Sequence, residues 1–439
     1  MPHFKIIKIV QTIANQKDTQ MNILLTINDI SITGGAERVC VNIANALAES
    51  GNNVEILSFY HANKSLPYDT KTKLTFMHNF GENILRDKML SNPIQKLYFK
   101  NLHKIILALK VWKKYKHIDA IITNDWTYMP LFKHKNTRYI KIQHNRFEKY
   151  NKRNNLFDAL VILSEREIQR WQRYHSNINA IPNFLPDIPQ TSTNHSQKVV
   201  LSVGRLSSEK GFLRLLDIWK IVREHIASLS GESNANDLSL QNSTYATFSS
   251  LRGSGKATTK QSIKAIKEID CHDFDKSNSR NDEVKNDLNE WKLIIVGDGV
   301  LKSEIESKIN ALNLGESVIL KPFTKDIERE YLGASIYAMA SHFEGFPMVL
   351  LESTSYGLAP LSFDIATGPS DIIEHNKSGF LIPDNDLEGY AKHLIALMSD
   401  ESMRTNFGKE AKRIVSERFS KESVLQKWIE IFDENWSKR

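Results

Sequence analysis

Residues 335–364 read SIYAMASHFEGFPMVLLESTSYGLAPLSFD. Two short apolar runs flank a segment of helical character that begins near Pro347, so this stretch predicts a strand–helix–strand unit. Proline suits the first position of a helix because its missing N–H group would have no partner there. The start of the predicted helix then lies at the carboxyl end of a parallel strand, which is where open α/β sheets bind ligands.

The same alternation of apolar runs and helical segments continues on both sides of this stretch. NILLTI (22–27) and NVEILSFY (53–60) flank a segment whose apolar residues Val39, Ile43 and Leu47 recur at helical spacing. This rhythm is typical of parallel sheets that helices cover on both faces. At 439 residues the chain is longer than one hydrophobic core usually holds. We therefore expect two doubly wound α/β domains that face each other across a cleft.

A proline-rich stretch, AIPNFLPDIPQ (180–190), interrupts the alternation and predicts a linker between the two domains. A second interruption is rich in Ser, Asn, Asp and Lys and is predicted to be a disordered insertion. The apolar face of the last predicted helix fits either a cap on the second domain or a helix that crosses back to the first. The expected parts are an extension (1–20), a first domain (21–184), a second domain (185–420) with the insertion (229–290), and a C-terminal helix (421–439).

Composition narrows the class of protein. The 58 Lys and Arg residues exceed the 51 Asp and Glu residues, and the net charge of +7 suits a phosphorylated ligand or an anionic membrane surface. The sequence has no zinc finger, RNA-recognition signature or basic heptad region, so we expect no nucleic-acid partner. Cys40 and Cys271 have no metal-ligand spacing and fit a reducing cytoplasm. No apolar run in the sequence is long enough to span a bilayer.

Two glutamates, Glu344 and Glu352, flank the start of the helix predicted at Pro347. The free N–H groups and the dipole of a helix N-terminus favour a phosphate group, and Gly345 would let the ligand approach closely. Glu352 lies about 7–8 Å further along the helix axis. That separation is close to the distance from a diphosphate to the ribose of the same nucleotide. The spacing therefore predicts a nucleotide-sugar site, with Glu344 beside the transferred group; the alternative is a pair of solvent-facing glutamates.

Further polar residues follow strands at the same predicted edge. Arg205 and Lys210 come after VVLSVG, where two cations can neutralise a diphosphate without a metal ion. The alternative is a pair of exposed basic residues. His144 ends the run RYIKIQH, and its alternative is a solvated histidine at a strand end. Asp125 follows DAIIT, where capping of a helix in WTYMPLF is favoured over a role on the acceptor side.

The first strand–helix turn contains Gly34 and Gly35. These glycines would open the wall of the cleft to phosphate, sugar or acceptor, and the alternative is a plain tight turn. Glu37 and Arg38 begin the next helix and are expected to complement its dipole and its surface.

Five blocks resemble, in the same order, the motifs of retaining glycosyltransferases of family 4. They are GGAERV (34–39), VGRLSSEKGF (203–212), IVGDGVLKSEI (295–305), EGFPMVLLE (344–352) and FDIATGPSDIIEHNKSGFLI (363–382). The resemblance extends over nearly all of 21–439 apart from the insertion. It implies the GT-B architecture, in which two Rossmann-like domains face each other across a cleft.

The resemblance also implies an activity. It is the transfer of a hexose or N-acetylhexosamine from a nucleotide sugar, with retention and without a metal ion or other cofactor. UDP is the preferred nucleotide, and galactose or N-acetylgalactosamine the preferred sugar. Two other functions stay open: a nucleotide-sugar 2-epimerase of similar architecture, and a non-catalytic protein that binds a UDP-sugar.

The family motifs carry over to named positions in two groups. The residues that correspond to catalytic positions are Glu344, His144, Arg205 and Lys210. The residues that correspond to donor-binding positions are Glu352, Gly345, Phe346, Pro347, Met348, Val349, Gly34, Gly35, Phe323 and Gly368.

Residues 91–117 combine many lysines with apolar residues at helical spacing. A basic amphipathic helix of this kind binds anionic membrane surfaces. The alternative is an ordinary domain helix whose lysines are solvated. We expect a cytoplasmic protein, peripheral on the inner face of the cytoplasmic membrane. Its acceptor would be a saccharide or a lipid-linked saccharide used in cell-envelope polysaccharide or lipopolysaccharide assembly.

Overall fold

The computed structural model of the chain describes residues 20–81, 102–229 and 285–433. Four predictions lie wholly or partly outside these ranges. They concern the extension over 1–20, the insertion over 229–290, residues 91–101 of the basic stretch over 91–117, and residues 434–439 of the C-terminal helix over 421–439.

The first domain is built on a seven-stranded parallel sheet. Its strand order is β3-β2-β1-β4-β5-β6-β7, so the order reverses between β1 and β4. The strands are β1 (Asn22–Asp29), β2 (Asn53–Tyr60), β3 (Lys73–Phe76), β4 (Ala120–Thr123), β5 (Arg138–Gln143), β6 (Ala159–Ile162) and β7 (Ile178–Ala180).

The described α-helices of this domain are α1 (Gly35–Glu49), α2 (His103–Lys114) and α3 (Ile168–Gln172). Helix α1 buries Val39, Ile43 and Leu47 against the sheet, as their spacing predicts. Strands β1 and β4 are buried on both faces, which is why they read as continuous apolar runs.

The second domain has a six-stranded parallel sheet of order β10-β9-β8-β11-β12-β13, which reverses between β8 and β11. Its strands are β8 (Val199–Val203), β9 (Lys292–Val296), β10 (Val318–Lys321), β11 (Ile336–Met339), β12 (Ala359–Asp364) and β13 (Phe380–Pro383). Its α-helices include α4 (Phe212–Ser228), α5 (Lys302–Ala311), α6 (Ile327–Leu332), α7 (Met348–Ser355), α8 (Pro369–Ile372), α9 (Leu387–Ser399) and α10 (Glu401–Arg418).

The last helix, α11 (Lys421–Asp433), contacts the first domain. Lys421 Nζ lies 2.8 Å from a carboxylate oxygen of Glu49 at the end of α1. Arg138 at the start of β5 donates a hydrogen bond to the carbonyl of Ile431. The chain between the domains lies beside this crossing, where the Leu185 N–H donates to the Phe419 carbonyl at 3.1 Å.

The prediction of two doubly wound Rossmann-like domains is confirmed. Apolar alternation does not reveal β3, β7 and β13, because no residue of β3 or β7 is fully buried and β13 ends in a proline. The helix expected in WTYMPLF is wrong, since residues 126–132 are irregular. Asp125 instead accepts a hydrogen bond from the Thr127 N–H at 2.6 Å, in a turn that competes with helix formation. Within the described parts of the chain, no helix has the length and apolar character needed to cross a bilayer.

Candidate active site

The two domains meet at the carboxyl edges of their sheets. A Cβ atom added to Gly345, in the loop after β11, would lie 1.8 Å from the carbonyl oxygen of His144, which follows β5 of the other domain. Only glycine therefore allows this approach. Gly345 was predicted to let a ligand come close, and in the structure it lets the first domain come close. A second contact joins Arg166 Nη1 to Asp364 Oδ1 at 2.8 Å. Both sheets reverse their strand order at this edge, as ligand-binding α/β sheets do.

Glu344 forms a nearly buried ion pair within the second domain. Its Oε1 atom lies 2.6 Å from Lys210 Nζ and accepts a hydrogen bond from Ser341 Oγ at 2.7 Å. The Glu344 side chain is only 9% exposed. Its second oxygen, Oε2, accepts no hydrogen bond from the described residues, so it can serve a ligand.

The loop that carries Glu344 is fixed by neighbouring elements. Gly211 has φ +66°, and a Cβ there would lie 1.8 Å from the Ala340 carbonyl oxygen. Arg214 Nε donates to the same carbonyl at 2.6 Å. Thr367, after β12, donates its hydroxyl to the Glu344 carbonyl at 2.5 Å. The sequence motifs around Lys210 and Gly368 thus brace the loop as well as contributing candidate ligands.

Glu352 lies on α7 with a side chain only 11% exposed. Its Oε2 accepts a hydrogen bond from the Tyr331 hydroxyl at 3.0 Å. Its Oε1 forms an ion pair with Arg38 on α1 of the first domain. Burial and the neighbouring Glu352 carboxylate raise the pKa of Tyr331, so its hydroxyl stays a donor at physiological pH.

Arg38 is a site residue that the sequence analysis missed. It was expected only to complement its own helix and the surface. A cation in the first turn of a helix is disfavoured by the helix dipole, and this was the available signal that Arg38 has another partner.

The glycine turn of the first domain brings a further carboxylate to the cleft. A Cβ on Gly34 would lie 2.1 Å from Glu37 Oε2, so glycine leaves room for this side chain to fold back. Burial raises the pKa of Glu37, and the nearby Asp125 and Asp29 raise it further, whereas Arg205 of the other domain opposes them. Arg205 is exposed and forms no ion pair with any residue of the described ranges.

His144 is partly buried, and its Nε2 lies 3.1 Å from Asn124 Oδ1. Burial, and to a smaller extent the nearby Lys141 ammonium, lower the pKa of His144 to about 3. His144 is therefore a neutral imidazole at physiological pH.

The remaining donor-binding candidates differ in what they can offer a ligand. Pro347 immediately precedes α7, and Met348 and Val349 form its first turn, where helix N–H groups lack intrahelical partners. Gly368, at φ +97°, packs against Pro347. The Phe346 ring is buried against Phe419, so only its backbone could face a ligand.

Two candidates lie in more open surroundings. Phe323 is 59% exposed, and its N–H donates to Asp298 Oδ2 at 2.9 Å. A Cβ on Gly35 would meet no atom within 4 Å, so this glycine is not required by packing. Within the described ranges, no three His, Cys, Asp or Glu side chains are grouped as metal ligands.

Two family models match the chain in sequence order. The model described as Glycosyltransferase Family 4 matches residues 33–187, and the model described as Glycosyl transferases group 1 matches residues 259–414. The chain belongs to the GT-B glycosyltransferases. The resemblance to glycosyltransferases of family 4 is thereby confirmed.

Relatives that match this GT-B glycosyltransferase over most of its length include bacterial glycosyltransferases. It is 25% identical over 425 residues to an uncharacterized glycosyltransferase of Haemophilus influenzae, covering 92% of this chain and 97% of the relative. It is 24% identical over 432 residues to the amylovoran biosynthesis glycosyltransferase AmsD of Erwinia amylovora, covering 94% and 99%.

A solved structure supports the fold of this glycosyltransferase. TarM of S. aureus, bound to UDP and alpha-GlcNAc-glycerol, superposes with a TM-score of 0.66 at 15% identity. The match covers 94% of this chain and 100% of TarM. At this identity the likeness concerns the two-domain architecture alone.

Proposed function

We propose that this protein is a retaining hexosyltransferase that moves a sugar from a UDP-sugar to a saccharide or lipid-linked saccharide in bacterial cell-envelope assembly. One observation carries the proposal. Glu344 and Glu352 flank the N-terminus of α7, both are nearly buried, and a cation contacts one oxygen of each. Buried carboxylates suit recognition of a sugar and a ribose on either side of a diphosphate. Glu344 keeps Oε2 for a sugar hydroxyl, and Glu352 would share with the ribose the oxygen that now pairs with Arg38.

The reaction breaks the bond between the sugar C1 and the phosphate oxygen, and the diphosphate leaves with the electron pair. The acceptor hydroxyl oxygen bonds to C1, and its proton passes to the departing phosphate oxygen. The unpaired Arg205 guanidinium, Lys210 and the first N–H groups of α7 would stabilise the negative charge that develops. These charges supply what a metal ion would otherwise provide, so we propose that transfer is metal-independent.

The carboxylates would then have separate tasks. Glu344 Oε1 is held by Lys210 and Ser341, which leaves Oε2 to accept hydrogen bonds from hydroxyls of the transferred sugar. Glu352 would accept hydrogen bonds from the ribose. Closure of the domains over the donor would limit hydrolysis by excluding water.

The choice of galactose or N-acetylgalactosamine from UDP draws support from relatives that carry these sugars in their names. One, 23% identical over 425 residues, is an alpha-1,4-N-acetyl-D-galactosaminyltransferase of Campylobacter jejuni that acts on an undecaprenol-linked saccharide. A lipopolysaccharide 1,6-galactosyltransferase of Escherichia coli is 30% identical over 115 residues. TarM supports UDP through its bound ligand.

A location on the inner face of the cytoplasmic membrane draws support from α2. Its exposed lysines Lys110, Lys113 and Lys114 border an open groove of about 440 Å³ whose lining includes Leu57 and Phe76. Cationic groups beside an apolar groove suit an anionic lipid surface or the head of a lipid-linked acceptor.

The deciding experiment is donor turnover. The full-length protein is incubated with a panel of UDP-, GDP- and ADP-sugars and a membrane lipid extract. Nucleotide release and product mass are measured, and NMR gives the anomeric configuration. We expect a UDP-sugar signal that is lost in Glu344→Ala and kept in Glu388→Ala, an exposed glutamate on α9.

Other outcomes would replace the proposal. An epimerised donor in the absence of acceptor would indicate a 2-epimerase. An inverted product would refute retention. No turnover of any donor, together with thermal stabilisation by UDP, would indicate a binding protein.

A further inference from the structure

Three residues of the first domain form a small polar cluster at the cleft edge of the sheet. Asn124 follows β4, Lys141 lies in β5, and His144 follows β5. Asn124 is 3% exposed and Lys141 is 2% exposed. Burying an ammonium without a carboxylate partner is costly, and the proposed reaction assigns a task to neither Lys141 nor Asn124.

The orientation of the Asn124 amide is fixed by the backbone. Its N–H donates to the Thr26 carbonyl at 3.0 Å, and its side-chain Nδ2 donates to the same oxygen at 3.3 Å. A carbonyl only accepts, so Nδ2 must face Thr26 and Oδ1 must face His144. Oδ1 also only accepts, so the hydrogen between Asn124 and His144 belongs to His144 Nε2.

Lys141 is, after burial, the second influence on the charge of the same imidazole. Its Nζ donates to the Ile142 carbonyl at 2.7 Å and lies 5.3 Å from the centre of the Trp126 ring. No carboxylate of the described ranges lies within ion-pair distance of it, and Asp125 is the acidic group that acts on it from nearby. Burial lowers the pKa of Lys141 to about 8, so it remains largely protonated at neutral pH. A buried ammonium close to His144 disfavours a second positive charge there.

Nδ1 is the ring nitrogen of His144 that is left to accept a hydrogen bond from a ligand. A neutral imidazole with its hydrogen on Nε2 has a lone pair on Nδ1. Nδ1 forms no hydrogen bond with the described residues, and it is not among their polar atoms that are sealed from solvent. The His144 carbonyl touches Gly345, the neighbour of Glu344, so the residue lies beside the proposed sugar site.

We propose that Asn124 and Lys141 are positioning residues that hold His144 as the neutral Nε2–H imidazole, so that Nδ1 accepts a hydrogen bond from a sugar hydroxyl. This inference rests on the proposed function and narrows it. A phosphate oxygen needs a donor or a cation, which neutral Nδ1 does not provide, whereas a hydroxyl can donate to it. His144 therefore recognises the transferred sugar and leaves the diphosphate to Arg205 and Lys210.

The first test is imidazole ¹⁵N NMR on the full-length protein labelled at its histidines. The His144 signals are assigned by their loss in His144→Gln. We expect a protonated Nε2 and an unprotonated Nδ1 from pH 8 down to pH 5. UDP-galactose should shift the Nδ1 signal, whereas UDP alone should not. A hydrogen on Nδ1, a cationic ring at pH 7, or an equal shift with UDP alone would overturn the proposal.

Substitutions at Asn124 and Lys141 separate their effects on the tautomer of His144 from their effects on its charge. Asn124→Ala should give a mixture of tautomers. Asn124→Asp should keep the hydrogen on Nε2 but raise the pKa of His144, because a carboxylate stabilises the cation. Lys141→Met should raise that pKa less, since burial remains the main cause of its depression.

Measurements of kcat and of the Kd of UDP then distinguish a positioning role of Asn124 and Lys141 from a role in folding. We expect Asn124→Ala and Lys141→Met to lower kcat by about tenfold or more while the Kd of UDP stays within about twofold. Lys135→Met, on an exposed lysine of the same domain, is the matched control. Unchanged kcat in both variants would refute the positioning role while glycosyl transfer stands. An inactive wild-type protein whose Nδ1 signal ignores every UDP-sugar would instead refute both proposals.

Discussion

Arg38 of the first domain and Glu352 of the second form an ion pair across the cleft. The carboxylate proposed to bind the ribose is therefore already engaged, with Tyr331 on its other oxygen. A nucleotide that uses Glu352 must displace Arg38 or share the carboxylate with it. The ion pair thus links the occupancy of the donor site to the contact between the domains.

Replacing Arg38 should strengthen nucleotide binding. In Arg38→Gln, UDP no longer competes with a guanidinium for Glu352, so we expect the Kd of UDP to fall by about threefold to tenfold, or about 0.7–1.4 kcal/mol. Isothermal titration calorimetry measures this. Small-angle scattering of the unliganded variant should show a more open arrangement of the domains.

Two further variants test whether the charge of Arg38 causes the expected change in UDP binding. Arg38→Lys keeps the charge and should bind UDP nearly as the wild type does. The charge-exchanged pair Arg38→Glu with Glu352→Arg should restore the compact form. Weaker UDP binding by Arg38→Gln would mean that Arg38 contacts the nucleotide, which contradicts competition.

Lys210 and Glu344 should be coupled in both stability and activity. Removing Lys210 alone leaves a nearly buried carboxylate with only Ser341 as partner, so Lys210→Met should lower the free energy of unfolding by about 1–3 kcal/mol. Adding Glu344→Gln should recover part of that loss, because no unpaired charge then remains. Urea unfolding of the wild type, the two single variants and the double variant gives the coupling free energy between Lys210 and Glu344. Additive losses would show that the pair contributes no coupling.

Gly345 should tolerate no side chain. The Cβ of Gly345→Ala would meet the His144 carbonyl, so the domains must separate at this point. We expect turnover to fall by about a hundredfold, because displacements of about 1 Å at a reacting centre have effects of that size. Gly315→Ala is the matched control, since Gly315 is exposed on the second domain and its Cβ meets open space. Wild-type turnover by Gly345→Ala would show that this contact is not present during the reaction.

The sequence predicted most of the fold because strands buried on both faces, such as β1 and β4, leave a continuous apolar run. It predicted Glu344, Glu352 and Lys210 as candidates because they follow strands or flank a helix start. It could not reveal the partner of Arg38, which lies 314 positions away in the other domain, since no local pattern records a contact across a cleft. The sequence assigned Asn124 no task, because the orientation of its amide depends on Thr26 in a neighbouring strand.

Lys141 should reduce the stability of the first domain while serving its function. Its pKa of about 8 in the folded protein lies below the ordinary value of about 10.5, so the unfolded chain binds more protons between these two pH values. Stability should therefore rise with pH across this window, by at most about 3 kcal/mol.

Lys141→Met removes the buried charge, and we expect its free energy of unfolding at pH 7 to exceed that of the wild type by about 1–3 kcal/mol. The excess should shrink as the pH approaches 10.5, because the folded wild-type lysine is then neutral and the unfolded lysine only half protonated. Urea unfolding of both proteins at pH 7, 8, 9 and 10 gives the difference, in which the titration of other groups cancels.

A less stable variant at pH 7 would mean that the hydrogen bond to the Ile142 carbonyl and the Trp126 ring outweigh the desolvation of the ammonium. A more stable variant with impaired kcat would instead identify Lys141 as a residue retained for the site at the expense of the fold.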